Sequence, residues 1–287
     1  MDRRRIVRWA AALALGGALA PDVWAGAVTF TGNVETDMPA TGKNGVNLVP
    51  GLQPNQVAQD SWITKQGWTN GWVIKDMRLD YNKASDSMQV GVNFYSIAGA
   101  ADGNPAGTPD PRTLAEGGAD PSSLAGRKSI TVEFAPNSPT SNAQPGTPLV
   151  VAGVPENKPA VNGTGTDGFT IATYKNNGAL QANYGTQINS AMGNLAFDPS
   201  PAHPDFEFTI KHWSQFSNLA GPGGFWVSGF AGSPDDVVSG ESKIPWFHIP
   251  APQQQQVPEP TTVLGWAVMA GGAAWALRRK GRAADRV

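Results

Sequence analysis

The chain of 287 residues contains no cysteine. Disulfide frameworks, thiolate zinc sites and iron–sulfur clusters are therefore excluded. Charge is scarce: 15% of residues are Asp, Glu, Lys or Arg, against about 25% in an average globular protein. The formal net charge of −2 lacks the positive excess that a phosphate-binding surface needs, so no nucleic-acid partner is expected. Helical periodicity is lacking as well. No stretch of ten or more residues between the termini carries a convincing 3.6-residue apolar repeat. What is abundant is Gly, at 34, and Pro, at 24. Both favour turns, loops and short strands over long helices.

The small net charge averages three unlike segments. Residues 1–25 hold four arginines and two aspartates, for +2. Residues 261–287 hold five basic residues and one aspartate, for +4. The body between them, 26–260, holds 12 basic and 20 acidic residues, for −8.

The N-terminal end reads as a signal peptide over 1–25. Arg3, Arg4, Arg5 and Arg8 precede an uncharged run from Trp9 to Ala20. That run suits an h-region and is too short to span a bilayer as a mature helix. Small residues then place signal peptidase cleavage after Ala25 or Ala27.

At the other end, residues 250–260 are rich in Pro and Gln and form an extended linker. Residues 261–277 (TTVLGWAVMAGGAAWAL) carry no charge. At 1.5 Å per residue they reach about 26 Å, close to the hydrocarbon thickness of a bilayer. They read as one transmembrane helix. Arg278, Arg279 and Lys280 stop transfer and hold the tail, 278–287, on the cytoplasmic side.

This order of parts resembles a PEP-CTERM sorting signal: Val257-Pro258-Glu259-Pro260, a short apolar helix, then Arg278-Arg279-Lys280. The resemblance covers about 30 residues. It implies an exosortase-type transpeptidase as a processing partner, transient anchoring in the inner membrane, and a Gram-negative-type bacterium that makes exopolysaccharide or biofilm matrix. Without the family, the physical logic is the same. A helix parks the chain in the membrane, and a proline-flanked site stays extended for a protease.

Residues 26–249 read as one extracellular domain. Met77, Leu79 and Tyr81 alternate with Asp76, Arg78 and Asp80. Met88, Val90, Val92 and Phe94 alternate with Gln89, Gly91 and Asn93, after a turn-forming cluster at 82–86. The pattern predicts an antiparallel hairpin with one apolar face. The same alternation predicts strands carrying Ile130, Val132 and Phe134; Phe169 and Ile171; Phe206, Phe208 and Ile210; and Phe225, Val227 and Gly229. Leu149–Val154 adds a shorter apolar run, and 98–126 reads as a long loop with room for one helical turn. The expected fold is all-β, an antiparallel β-sandwich, with a jelly-roll-like arrangement as the alternative. The stretches 72–81, 88–94, 206–216 and 224–232 are similar to those of extracellular β-sandwich domains in other anchored bacterial proteins. That resemblance implies location and fold, and no catalytic motif.

A search for chemistry finds no nucleophile elbow, no H-E-x-x-H and no dinucleotide fingerprint. His203, His212 and His248 stand too far apart in sequence for a local metal pair, and His212 continues the inward register of Phe206, Phe208 and Ile210. Asp102-Gly103-Asn104 opens like an oxygen-ligand loop but has no EF-hand spacing; a looser calcium site would use Asp102, Asn104 and Asp110, and solvated turns are the competing reading. No other cofactor is expected. Glu133 and Glu207 fall on outward strand faces, where glutamates are ordinarily solvated, so paired-carboxylate catalysis has little support. Among six body tryptophans, Trp226 has the outward parity that suits stacking on a sugar ring.

Taken together, the residues lead to an exported surface or biofilm-matrix protein with a structural or adhesive role. Recognition of exopolysaccharide, in the manner of a carbohydrate-binding module, is the alternative. A secreted glycan-active enzyme is the third.

Overall fold

Period-2 alternation sends successive side chains to opposite faces of a strand, so each strand needs something to bury its apolar face against. The computed structural model describes residues 28–40, 45–107, 129–154, 170–175, 184–188, 200–232 and 242–251. The chain divides into two units, Met1–Ala251 and Pro252–Val287, and every described residue belongs to the first. Its strands are β1 (Asn47–Pro50), β2 (Ile74–Asn82), β3 (Ser87–Phe94), β4 (Ser129–Ser138), β5 (Ser141–Pro145), β6 (Val150–Val154), β7 (Thr170–Tyr174), β8 (Tyr184–Gln187), β9 (Phe206–Lys211), β10 (Phe225–Gly232) and β11 (Ser242–Ile249). Two short helices, α1 (Val34–Asp37) and α2 (Ser61–Lys65), lie near the start.

All named pairings are antiparallel. One sheet has the order β1-β2-β3-β9; the other runs β11-β10-β4-β6-β7-β8, with β5 paired to β4. Inward side chains of both sheets share one hydrophobic core. The fold is all-β and sandwich-like, as the alternation predicts. No described helix is long and apolar enough to cross a membrane; residues 1–27 and 252–287, which carry the expected signal peptide and sorting helix, lie outside the described residues.

The predicted hairpin is β2–β3, in the register Met77↔Val92, Leu79↔Val90 and Tyr81↔Met88. Its turn is held by Asn82 Oδ1, which accepts from the amides of Ala84 and Ser85. Ile130, Val132, Phe134, Phe206, Phe208, Ile210, Phe225 and Val227 all reach the core. Trp213 packs edge-on to Phe134 and Phe225, with centroids 5.5 and 5.1 Å away. Such edge-to-face contacts suit the ring quadrupoles.

Three expectations are corrected. His212 does not continue the inward register. It is exposed and takes a left-handed backbone at φ 55°, which ends β9 and turns Trp213 inward instead. Glu133 and Glu207 do not sit in solvent: they are 5% and 0% exposed. The polar face of the β2–β3 hairpin is not wet either. Asp76, Arg78, Asp80, Gln89 and Asn93 are all buried there. Around Asp76, Arg78 and Asn93 the reason is a strap. Residues 31–38, including α1, lie across the outer face of β2 and β3, with the strap's own Val34 and Met38 fully buried against those strands. Gly91 makes the close approach possible. A Cβ built there would stand 2.8 Å from Val34 Cγ2.

Candidate functional site

The strap is fastened by polar groups that alternation places on the outer face. Arg78 forks onto Asp76, with Nε 2.8 Å from Oδ1 and the second guanidinium nitrogen 3.3 Å from Oδ2. Its remaining donor reaches Met38 O at 2.7 Å and Val34 O at 3.4 Å. Met38 O lies just past the end of α1, where carbonyls lack an intrahelical donor, whereas Val34 O already accepts the Met38 amide at 2.9 Å. Just before β9, Asp205 accepts the Val34 amide on one oxygen and the Phe94 amide on the other, both at 2.9 Å. Two residues on, Glu207 accepts the Gly32 amide at 2.8 Å.

Burial dominates the electrostatics here. It pushes the Asp205 carboxyl up to about 7, against the two amides that favour its charged form. It pushes Glu207 up to about 8, with the nearby Asp37 carboxylate adding to the rise. Both effects follow from taking a carboxylate out of water.

Beside the strap lies a cleft of about 480 Å³. Its floor is the end of the hairpin. A β-bulge in β2 shifts the register between Ile74 and Asp76. It turns two successive side chains, Lys75 and Asp76, to the strap side, which is what bulges near functional sites commonly do. Lys75 Nζ pairs with Glu35 of the strap and stands 5.9 Å from the centroid of the Tyr95 ring. Asn93 Nδ2 donates to Glu35 Oε1 at 3.3 Å and to Asp76 Oδ2 at 2.9 Å. A continuous polar chain therefore runs from the buried Arg78 to the open Glu35–Lys75 pair. Hydrogen bonding to Lys75 and then Asn93 lowers the Glu35 carboxyl, and the same pairing raises Lys75.

The far wall is made by two loops zipped together. Gly71 donates to Ala100 O and accepts from Gly99 N. A Cβ at Gly71 would overlap Ile97 O at 1.8 Å, so only glycine allows this contact. The rim of that wall carries Trp68, half-buried against the small cluster of Ile63 and Ala101. Aromatic residues and a fixed ion pair thus line one space, with Ser96, whose hydroxyl donates to Gly103 O at 3.2 Å, in its wall. The arrangement can bind a ligand that needs both apolar contact and hydrogen bonds of either sense.

The residues singled out in the sequence lie elsewhere. Trp226 does point outward from β10. Its Nε1 donates to Asn137 Oδ1 at 2.9 Å, and its ring lies 5.1 Å from that of His248. Asp102 is buried rather than solvated, and its Oδ1 accepts the Asn104 amide at 2.8 Å. Asn104 in turn caps the Ala106 amide. Asp110 lies outside the described residues, among which no group of three His, Asp or Glu is placed to hold a metal. Glu133 and Glu207 stand on outer faces of different sheets with the core between them, so they form no catalytic pair. Ala25, Ala27, Val257, Pro258, Glu259, Pro260, Arg278, Arg279 and Lys280 also lie outside the described residues.

Sequence reasoning missed Glu35, Lys75 and Tyr95. Glu35 and Lys75 are 40 residues apart, and the bulge that brings them together breaks the very alternation that locates β2. The one available signal was an asparagine, Asn93, beside the strand-end aromatics Phe94 and Tyr95. Comparison with known proteins adds no relative: no family model, no curated protein and no solved structure matches the chain.

Proposed function

We propose that this chain is an exported surface or biofilm-matrix protein of a Gram-negative-type bacterium, with a structural or adhesive role. The observation that carries the reading is the three-part C-terminal pattern: Val257-Pro258-Glu259-Pro260, the uncharged stretch 261–277, and Arg278-Arg279-Lys280. Its resemblance to a PEP-CTERM signal supports processing by an exosortase-type transpeptidase after passage through the inner membrane. The arginine-led N-terminus supports export and removal by signal peptidase at Ala25 or Ala27. The body suits life outside the cell. It is a sandwich-like domain without cysteine, so its stability does not depend on the redox state of its surroundings.

Mass spectrometry of the mature protein tests this directly. The expected product begins just after Ala25 or Ala27 and ends near Pro258–Pro260. A mature chain that retains residues 261–287 would overturn the sorting claim. Loss of matrix cohesion or adhesion in a deletion strain is expected, and an unaltered matrix would remove the structural role.

A further inference from the structure

We infer that the cleft beside the strap is a binding site for a neutral saccharide chain. The proposal deepens the adhesive reading by naming a ligand class and a place for it, and it rests on that reading for its biological setting.

Size comes first. At about 480 Å³ the cleft lies within the roughly 300–1,000 Å³ typical of small-molecule sites. Next is the character of its walls. Sugars present axial C–H groups on one side and hydroxyls around the edge. They are held by aromatic faces together with side chains that donate and accept in one plane. Trp68 and Tyr95 supply half-buried rings on the cleft wall. Glu35 accepts and Lys75 donates from a single ion pair, with side chains 51% and 39% exposed, which suits two neighbouring hydroxyls.

The polar groups of the cleft are also held in place before a ligand arrives. Glu35 and Lys75 are surface residues, and a surface ion pair alone contributes little. Here Asn93 ties Glu35 to Asp76, Asp76 is forked by Arg78, and Arg78 is bound to the strap's own carbonyls. A ligand meeting polar groups already held in place loses less entropy on binding.

The same features select the class. A peptide adding a strand needs an unpaired sheet edge. The cleft instead opens at the end of β2 and β3, both interior strands of the β1-β2-β3-β9 sheet. Even the amide of Phe94 is already taken by Asp205, and that of Tyr95 by Val73 O. An anionic polysaccharide would face Glu35 at the rim of a body whose net charge is −8. A neutral chain meets no such penalty.

The test uses the purified full-length chain in detergent. Titration calorimetry is run against cellohexaose, laminarihexaose, chitohexaose and mannohexaose, with an alginate hexasaccharide as the anionic probe. At least one neutral probe is expected to bind. Tyr95→Ala and Glu35→Gln are each expected to weaken it tenfold or more, while Trp226→Ala leaves it unchanged. Glu35→Gln replaces an exposed group by its isostere, so it keeps the test valid if Tyr95→Ala fails to fold. Failure of all four neutral probes overturns the proposal. So does tighter binding of alginate, or binding lost in Trp226→Ala and kept in Glu35→Gln. The mass of the mature protein is an independent readout, so failure of the sorting reading and failure of the cleft are told apart.

Discussion

Two regions of the sandwich's outer surface are built from the same alternation and have different fates. On β2 and β3 the outward residues are Asp76, Arg78, Asp80, Gln89 and Asn93, and all are buried, with Arg78 and Asn93 bonded directly to the strap. On β10 the outward Ser228 and Phe230 are 5% exposed, but at the other end of the strand Trp226 and its partner His248 on β11 remain half-exposed, with Trp246 half-exposed and Phe247 37% exposed beside them. A hydropathy pattern would rank the first face as the wetter one. The difference teaches that alternation identifies the face turned to the core, and leaves open what covers the other. Burying polar groups is cheapest where partners replace water, and for Arg78, Asp205 and Glu207 the strap brings backbone carbonyls and amides to supply them.

The sharpest way to break this contrast is to remove the guanidinium. Arg78→Met keeps much of the side-chain volume but leaves the Asp76 carboxylate buried without its fork and takes the guanidinium donor from Met38 O. Breaking a buried pair by removing one partner costs about 3–5 kcal/mol. Chemical denaturation should show a loss of that size. Trp226→Ala on the other face should cost less than half as much. Equal losses would mean that the strap contributes nothing special.

That contrast also marks what the sequence could disclose. The hairpin was legible because Met77, Leu79 and Tyr81 and their partners keep strict parity over two long strands joined by a turn cluster. The core strands were legible for the same reason. β1, β8 and β11 were not. β1 and β8 are only four residues long, and β11 carries Pro245 and mixes burial along its length. The cleft was not legible at all. It depends on a bulge at Lys75, a strap without periodicity and a glycine zipper at Gly71, and each is set by tertiary contact rather than by local pattern. The carboxylates misled in the other direction: Glu207 looks like a solvent-facing strand residue until the chain from Gly32 is laid over it.

A second way to sharpen the comparison is steric. Gly91→Val would drive a side chain into Val34 and Met38, already within 2.8–3.2 Å of where a Cβ would stand. Overpacking of this kind costs about 1–3 kcal/mol. The expected signature is selective. Limited proteolysis should cut between residues 31 and 38 faster than in the parent, while the β2–β3 hairpin stays protected. Unchanged cleavage would show that the strap can shift without detaching.

The third is pH. Asp205 and Glu207 have carboxyls raised to about 7 and about 8 when folded, mainly by burial. The unfolded chain gives up those protons near 4 to 4.5, so between there and about 8 the folded state holds more protons than the unfolded. Stability must then fall as pH rises across that window and level off beyond it. The lowered carboxyls of Glu35 and Asp86 act in the opposite sense, but only at the acid end of the scale. A melting temperature that declines by several degrees from pH 5 to pH 8 is expected. Glu207→Gln should flatten much of that decline, whereas a substitution at Trp226 should leave the slope as it was. A stability that rises over the same range would contradict the raised values.

The smallest expected effect lies on the open face. Trp226→Phe keeps an aromatic ring near His248 and removes only the bond from Nε1 to Asn137 Oδ1. Asn137 retains its other bond, from Nδ2 to Gly223 O at 2.7 Å, and its freed oxygen can turn to water because the residue is not buried. A single neutral hydrogen bond contributes about 0.5–1.5 kcal/mol, and solvent access places this one at the low end. Thermal melting should therefore shift by no more than a few degrees, with no change in its pH slope. A loss matching that of Arg78→Met would mean that the half-exposed face is as tightly integrated as the buried one, and the distinction between a strapped face and an open face would fall.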